Sequence, residues 1–177
     1  MKKLFILLTF LTGFTAHAGL IDIELSTNQL LQGESLEIQL NAHDFAGFDY
    51  FDLDFTFDSS IFSLDLTSLV TDLAPFGFVS SQTTSGLAIS FIDFSANSGD
   101  FLLAGFTLTA LNPGSSSFSF EPSGNFYAPG TSSPLTGIDF SATASAEVAA
   151  QVPEPAGSAL LLLALSGLLL LRRSQRN

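Results

Sequence analysis

Apolar and polar residues alternate with a period of two along most of the chain between Gly19 and Gln151. Ile21, Ile23 and Leu25 alternate with Asp22 and Glu24, and Leu36, Ile38 and Leu40 with Glu37 and Gln39. Phe51, Leu53, Phe55 and Phe57 alternate with Asp52, Asp54, Thr56 and Asp58. The same pattern returns in Leu87-Ile89-Phe91, Leu102-Ala104-Phe106-Leu108-Ala110, Phe118-Phe120 and Ile138-Phe140. Successive side chains of a strand point to opposite faces, so each run predicts a strand with one apolar and one wet face. Turn-forming clusters separate the runs: Gln32-Gly33-Glu34, Ala46-Gly47, Asp58-Ser59-Ser60, Asn97-Ser98-Gly99-Asp100 and Asn112-Pro113-Gly114. Many short strands with frequent turns predict an all-β domain, an antiparallel β-sandwich.

The two ends break this pattern. Lys2 and Lys3 precede an apolar run from Leu4 to Phe14, and Ala16-His17-Ala18 supplies the small-x-small site that a signal peptidase reads. The run is apolar on every face, which fits a leader better than an amphipathic core helix. It predicts an exported chain, with 1–18 as a signal peptide cleaved after Ala18. At the other end, 156–171 is uncharged and mostly aliphatic, and Arg172, Arg173 and Arg176 follow at once. At about 1.5 Å per residue the run covers roughly 24 Å, against a hydrocarbon core of about 30 Å. It predicts a short transmembrane helix that needs local thinning of the bilayer. The arginines place the tail in the cytoplasm and the preceding domain outside, in agreement with the leader.

Val152-Pro153-Glu154-Pro155, the short apolar run and the arginine-rich tail together resemble the PEP-CTERM sorting domain of Gram-negative bacteria. The resemblance covers 152–177, with all three parts in order. It implies recognition of Val152, Pro153, Glu154 and Pro155 by the membrane enzyme exosortase, with Arg172 and Arg173 as the retention signal. The anchor would hold the chain transiently in the inner membrane. Its removal would pass the protein to the cell surface or an extracellular polysaccharide matrix. Each proline fixes φ and removes a backbone donor, and the residue before it is pushed out of the helical region. The head should therefore stay extended and open to an enzyme. The plainer reading is a linker on a permanent anchor.

Composition narrows what the middle, 19–151, can do. All five Lys and Arg lie in the two ends, while the middle holds sixteen of the seventeen Asp and Glu. Such a surface repels nucleic acid and anionic lipid. The chain has no Cys and the middle has one histidine, His43, so thiol chemistry and multi-histidine metal sites are excluded. Length gives one domain able to bury roughly two-thirds of its surface.

The order of elements in the middle resembles a cohesin-like domain. Leu31-Gln32-Gly33-Glu34 with the run to Leu40 looks like its early glycine turn and strand. Phe51 to Leu64, with Asp58-Ser59-Ser60 inside, looks like its strand, Asp-Ser turn and hydrophobic signature. Leu103 to Ala110 followed by Asn112-Pro113-Gly114-Ser115 looks like its late strand and glycine turn. The motifs are loose, and a generic jelly-roll sandwich fits the same pattern. The resemblance does not by itself imply dockerin binding.

Candidate chemistry is sparse. Asp49, Asp52, Asp54 and Asp58 form the densest acidic group, and 52, 54 and 58 share one face of a regular strand. Calcium takes several oxygen ligands and would bridge such a stripe weakly. The spacing lacks the loop pattern of a dedicated calcium site, and a solvated strand face explains it as well. Paired carboxylates can hydrolyse glycosides, but no pair is singled out by an aromatic cleft. No serine has a Gly-x-Ser-x-Gly setting. Phe76 and Phe78, and Phe126 with Tyr127, sit in loop-like sequence and would either present rings to a sugar or plug the ends of the sandwich. The expectation is a non-catalytic exported surface or matrix protein associated with exopolysaccharide or biofilm. The alternative is a carbohydrate- or protein-binding adhesion module, and a carboxylate hydrolase is the enzymatic rival.

Overall fold

A computed structural model of the chain describes residues 19–121 and 124–151. The expected leader with Ala16 and Ala18, the expected sorting motif Val152 to Pro155, the apolar run and Arg172 and Arg173 lie outside the described residues. Among the described residues no helix is long and apolar enough to cross a membrane.

The described residues form ten strands: β1 (Gly19–Leu25), β2 (Gln29–Leu31), β3 (Ser35–Thr56), β4 (Phe62–Val70), β5 (Phe78–Gln82), β6 (Gly86–Ala110), β7 (Gly114–Phe120), β8 (Asn125–Tyr127), β9 (Ile138–Asp139) and β10 (Thr143–Ala149). A 3-10 turn, Pro75–Gly77, leads into β5. The alternating runs do form strands, but not all of them are short. β3 and β6 span 22 and 25 residues and pair antiparallel from Ser35 opposite Thr109 to Thr56 opposite Gly86. This ribbon is the backbone of the fold.

The ribbon bends in its middle. Register shifts fall at Leu40/Asn41, Ala42/Phe45, Phe45/Phe48 and Phe48/Tyr50. Asp44 sits there with φ +53°, and its amide donates to Asp100 Oδ1 at 2.8 Å. Ala46-Gly47 and Asn97 to Asp100, expected as turns between strands, are instead bulges within two continuous strands. A bulge inserts an unpaired residue and sharpens the local twist without ending the ladder. Here buried residues recur every third position, Ala42, Phe45, Phe48 and Phe51, instead of every second. This moves the inward set from even positions before the bend to odd positions after it.

Each half of the ribbon serves one layer. The first half carries β1 and then β9 on one side and β4 on the other. The second half carries β5 on one side, with β7, β10 and β2 on the other and β8 beside β3. Most pairings are antiparallel, as expected for the sandwich; β1 with β9 and β10 with β2 are parallel. Phenylalanine rings join the layers, with Phe55 5.5 Å from Phe106 and Phe62 5.7 Å from Phe118. One cluster holds the buried residues of both layers. Each buried Phe contributes about 1.5–3 kcal/mol by leaving water, so this cluster carries the stability that disulfides and Lys or Arg ion pairs cannot supply.

Candidate functional site

The outer face of β8, β3, β6 and β5 is the most distinctive surface of the domain. Phe51, Leu53 and Phe55 point into the core, so Tyr50, Asp52 and Asp54 between them face out. On β6, inward Leu87, Ile89 and Phe91 likewise leave Ala88, Ser90 and Ile92 outside. The register aligns these positions in rows. Tyr50 stands between Tyr127 and Ile92, and Asp52 between Asn125 and Ser90. Val79 extends the second row beyond Ser90, and Asp54, Ala88 and Ser81 make the third.

Large apolar side chains on this face, and Phe76 in the turn beside it, stay exposed among the described residues. Phe94 is 98% exposed, Phe76 77%, Val79 62% and Ile92 60%. The Tyr50 and Tyr127 rings lie 5.0 Å apart. Small side chains floor an open depression of about 280 Å³ around Asp52 and Asp54. A second depression of about 610 Å³ lies among Asp49, Tyr50, Ile92, Phe94 and Tyr127. The opposite layer offers Glu37, Gln39 and Thr107 at equivalent outward positions, with no comparable aromatic row.

Local bonds hold the rim in place. Asp49 Oδ2 accepts from the Gly130 amide at 2.6 Å, tying β3 to the loop after β8. Asp93 Oδ1 accepts from the amides of Phe94, at 2.6 Å, and Ser95, at 3.3 Å, which fixes the backbone that presents the Phe94 ring. Gly77 lets the 3-10 turn lie against β6, because a Cβ there would collide with the Ile92 carbonyl. Burial pushes the Tyr50 phenol above its ordinary value, and the Asp52 carboxylate and Tyr127 push it further. The hydroxyl therefore remains a neutral hydrogen-bond donor at physiological pH.

The residues singled out in sequence are scattered differently from the strand-face expectation. Asp52 and Asp54 share the outer face, but Asp58 lies beyond the end of β3, in the turn. There its Oδ1 accepts from Ser60 N at 2.8 Å and Ser60 Oγ at 2.6 Å, and these bonds hold its carboxyl below the ordinary range. Asp49 is engaged with Gly130. Among the described residues no three His, Asp or Glu side chains are grouped to hold a metal ion. Phe126 is fully buried and packs on Phe45, Phe48 and Phe51, so its ring is part of the core and does not face a ligand. Phe78 is half-buried against Phe51, half-buried Tyr127 stands on the exposed face beside Tyr50, and Phe76 is exposed in the 3-10 turn. His43 Nε2 lies 3.4 Å from Asp22 Oδ2 on the other layer.

Ile92, Phe94, Val79 and Tyr50 were not picked out in sequence. For Ile92 and Phe94 the signal was a departure from alternation: Phe91-Ile92-Asp93-Phe94 has too many apolar residues for one inward face, so the surplus must point out.

Neither a family model nor a curated protein matches the chain. Solved structures do. The domain is similar to the third cohesin of ScaC from Acetivibrio cellulolyticus, solved in complex with the ScaB dockerin, at 12% identity and TM-score 0.62, covering 73% of this chain and 98% of that one. It is similar to the seventh ScaB type I cohesin from Pseudobacteroides cellulosolvens at 14% identity and TM-score 0.60, over 77% and 95% of the two chains. A non-cellulosomal cohesin from the archaeon Archaeoglobus fulgidus gives 11% identity and TM-score 0.57, over 74% and 92%. At these identities the likeness is one of fold, and the domain is a cohesin-like β-sandwich.

Proposed function

We propose that this protein is a non-catalytic binding module that presents one sheet face to a protein partner outside the cell. The observation that carries the reading is the outer face of β8, β3, β6 and β5, where Ile92, Phe94 and Val79 stand exposed beside the tyrosine pair on rigid strands. A large apolar patch rimmed by polar groups is the usual mark of a protein interface. The depressions around it are open and shallow, which suits a partner's surface better than a reacting small molecule. The solved cohesin of ScaC, which shares the fold, is held in a complex with a dockerin. Under this reading the leader exports the chain through signal peptidase. The Val152 to Pro155 head and the arginines then hand it to exosortase, and the surface or the polysaccharide matrix is its destination.

Photocrosslinking in the producing bacterium tests both halves. Benzoylphenylalanine placed at Phe94 should yield adducts with another protein on the cell surface, and the same probe at Thr107 on the other layer should not. A chain lacking 152–177 should lose these adducts and its surface location. Equal adducts at both probe positions would overturn the binding reading, and equal surface release of both chains would overturn the sorting reading.

A further inference from the structure

The charge around the exposed face identifies the kind of partner it takes. Asp52 and Asp54 stand in its centre, and Asp49 and Asp93 at its rim. No Lys or Arg occurs anywhere in 19–151 to balance them. A second copy of the domain would bring four more carboxylates against these four, which disfavours self-pairing. An uncharged apolar partner would bury the aspartates unpaired, at a cost that rises with desolvation. The complementary surface is apolar and positively charged at once.

We infer that this face binds a protein segment carrying Lys or Arg beside an apolar anchor, an inference that rests on reading the face as a protein interface. The anchor seats on the Tyr127–Tyr50–Ile92 row with Phe94, and the cation stands over Asp52 and Asp54. The row and Asp52 are two residues apart on β3, about 7 Å along the strand. An extended partner therefore places its cation two residues from the anchor. A helical partner places it three or four residues away, where side chains share a face about 5–6 Å apart.

The test uses the full chain in an uncharged detergent and a phage-displayed library of random sixteen-residue peptides. Enriched peptides are resynthesised and titrated against the protein and two double variants, Asp52→Asn/Asp54→Asn and Ile92→Ser/Phe94→Ser. All these positions are surface-exposed, and circular dichroism melts check that both variants keep the fold. The enriched peptides should carry Lys or Arg at the stated spacing from an aliphatic or aromatic residue. Their affinity should fall about tenfold or more in the aspartate variant, and comparably in 0.5 M sodium chloride, where charge pairs are screened. Neutral or acidic peptides, no enrichment, or binding indifferent to the aspartate variant overturns the inference. If the aspartate variant has no effect but the Ile92/Phe94 variant abolishes binding, the interface reading survives and only its charge preference falls. If neither variant matters, both fall.

Discussion

At the scale of single residues, several carboxylates in this domain act through hydrogen bonds from neighbouring hydroxyls and amides. Asp58 and Asp65 show it most clearly, each accepting from the hydroxyl and amide of the residue two positions on. In both, the hydroxyl bond is the main cause holding the carboxyl below its ordinary 3.8. A depressed carboxyl stabilises the fold above its unfolded value, and that contribution is lost as pH falls through the lower native value. Ser60→Ala should therefore lower the melting temperature at pH 7. The gap from the parent protein should close as melts are taken from pH 4 down to pH 2. A gap unchanged at pH 2 would assign the serine some role other than bonding the ionised Asp58.

At the scale of elements, the bend of the β3–β6 ribbon fixes both the core and the exposed face. Phe48 sits in that bend, fully buried, with rings of Phe45, Phe51, Phe91, Phe101 and Phe126 about it. Phe48→Ala should cost about 3–5 kcal/mol in chemical denaturation, whereas Phe94→Ala should cost under about 0.5 kcal/mol. Similar losses for the two would mean that the ring on β6 is packed and not presented. The sequence was legible where the ladder is regular: Leu36 to Leu40, Phe51 to Phe55 and Leu87 to Phe91 lie in strands with the expected inward residues. It was illegible at 41–50 and 92–101, because a bulge changes the period without changing the strand. Local turn chemistry at Ala46-Gly47 and Asn97 to Asp100 looks the same whether the chain reverses or only kinks. The exposed face was half legible. Its aspartates showed as a stripe, but its apolar members were hidden, because alternation assigns such residues to the interior. Phe126 misled in the opposite way, since flanking glycines and prolines made a core ring resemble a loop tip.

At the scale of the whole molecule, sixteen carboxylates without one Lys or Arg repel each other across the described domain. Salt should relieve this, since the screening length falls from about 10 Å at 0.1 M to about 3 Å at 1 M. Raising sodium chloride from 20 mM to 500 mM should lift the melting temperature by about 3–8 °C, equivalent to roughly 1–2 kcal/mol for a domain of this size. A flat or falling curve would show that the charges are already spaced beyond mutual influence. The closure of the sheet bears on how the protein is made. Strand β10 is the penultimate strand of its layer, flanked by β7 and by β2, and the Gln151 side-chain amide bonds the Gln32 carbonyl 119 residues earlier. Until synthesis delivers that last strand, β7 and β2 have vacant edges where a neighbouring nascent chain can add itself. The layer can therefore be completed only once β10 is available, and contacts so distant in sequence slow its formation. A chain cut short before residue 143 would be a sticky fragment instead of a smaller working domain.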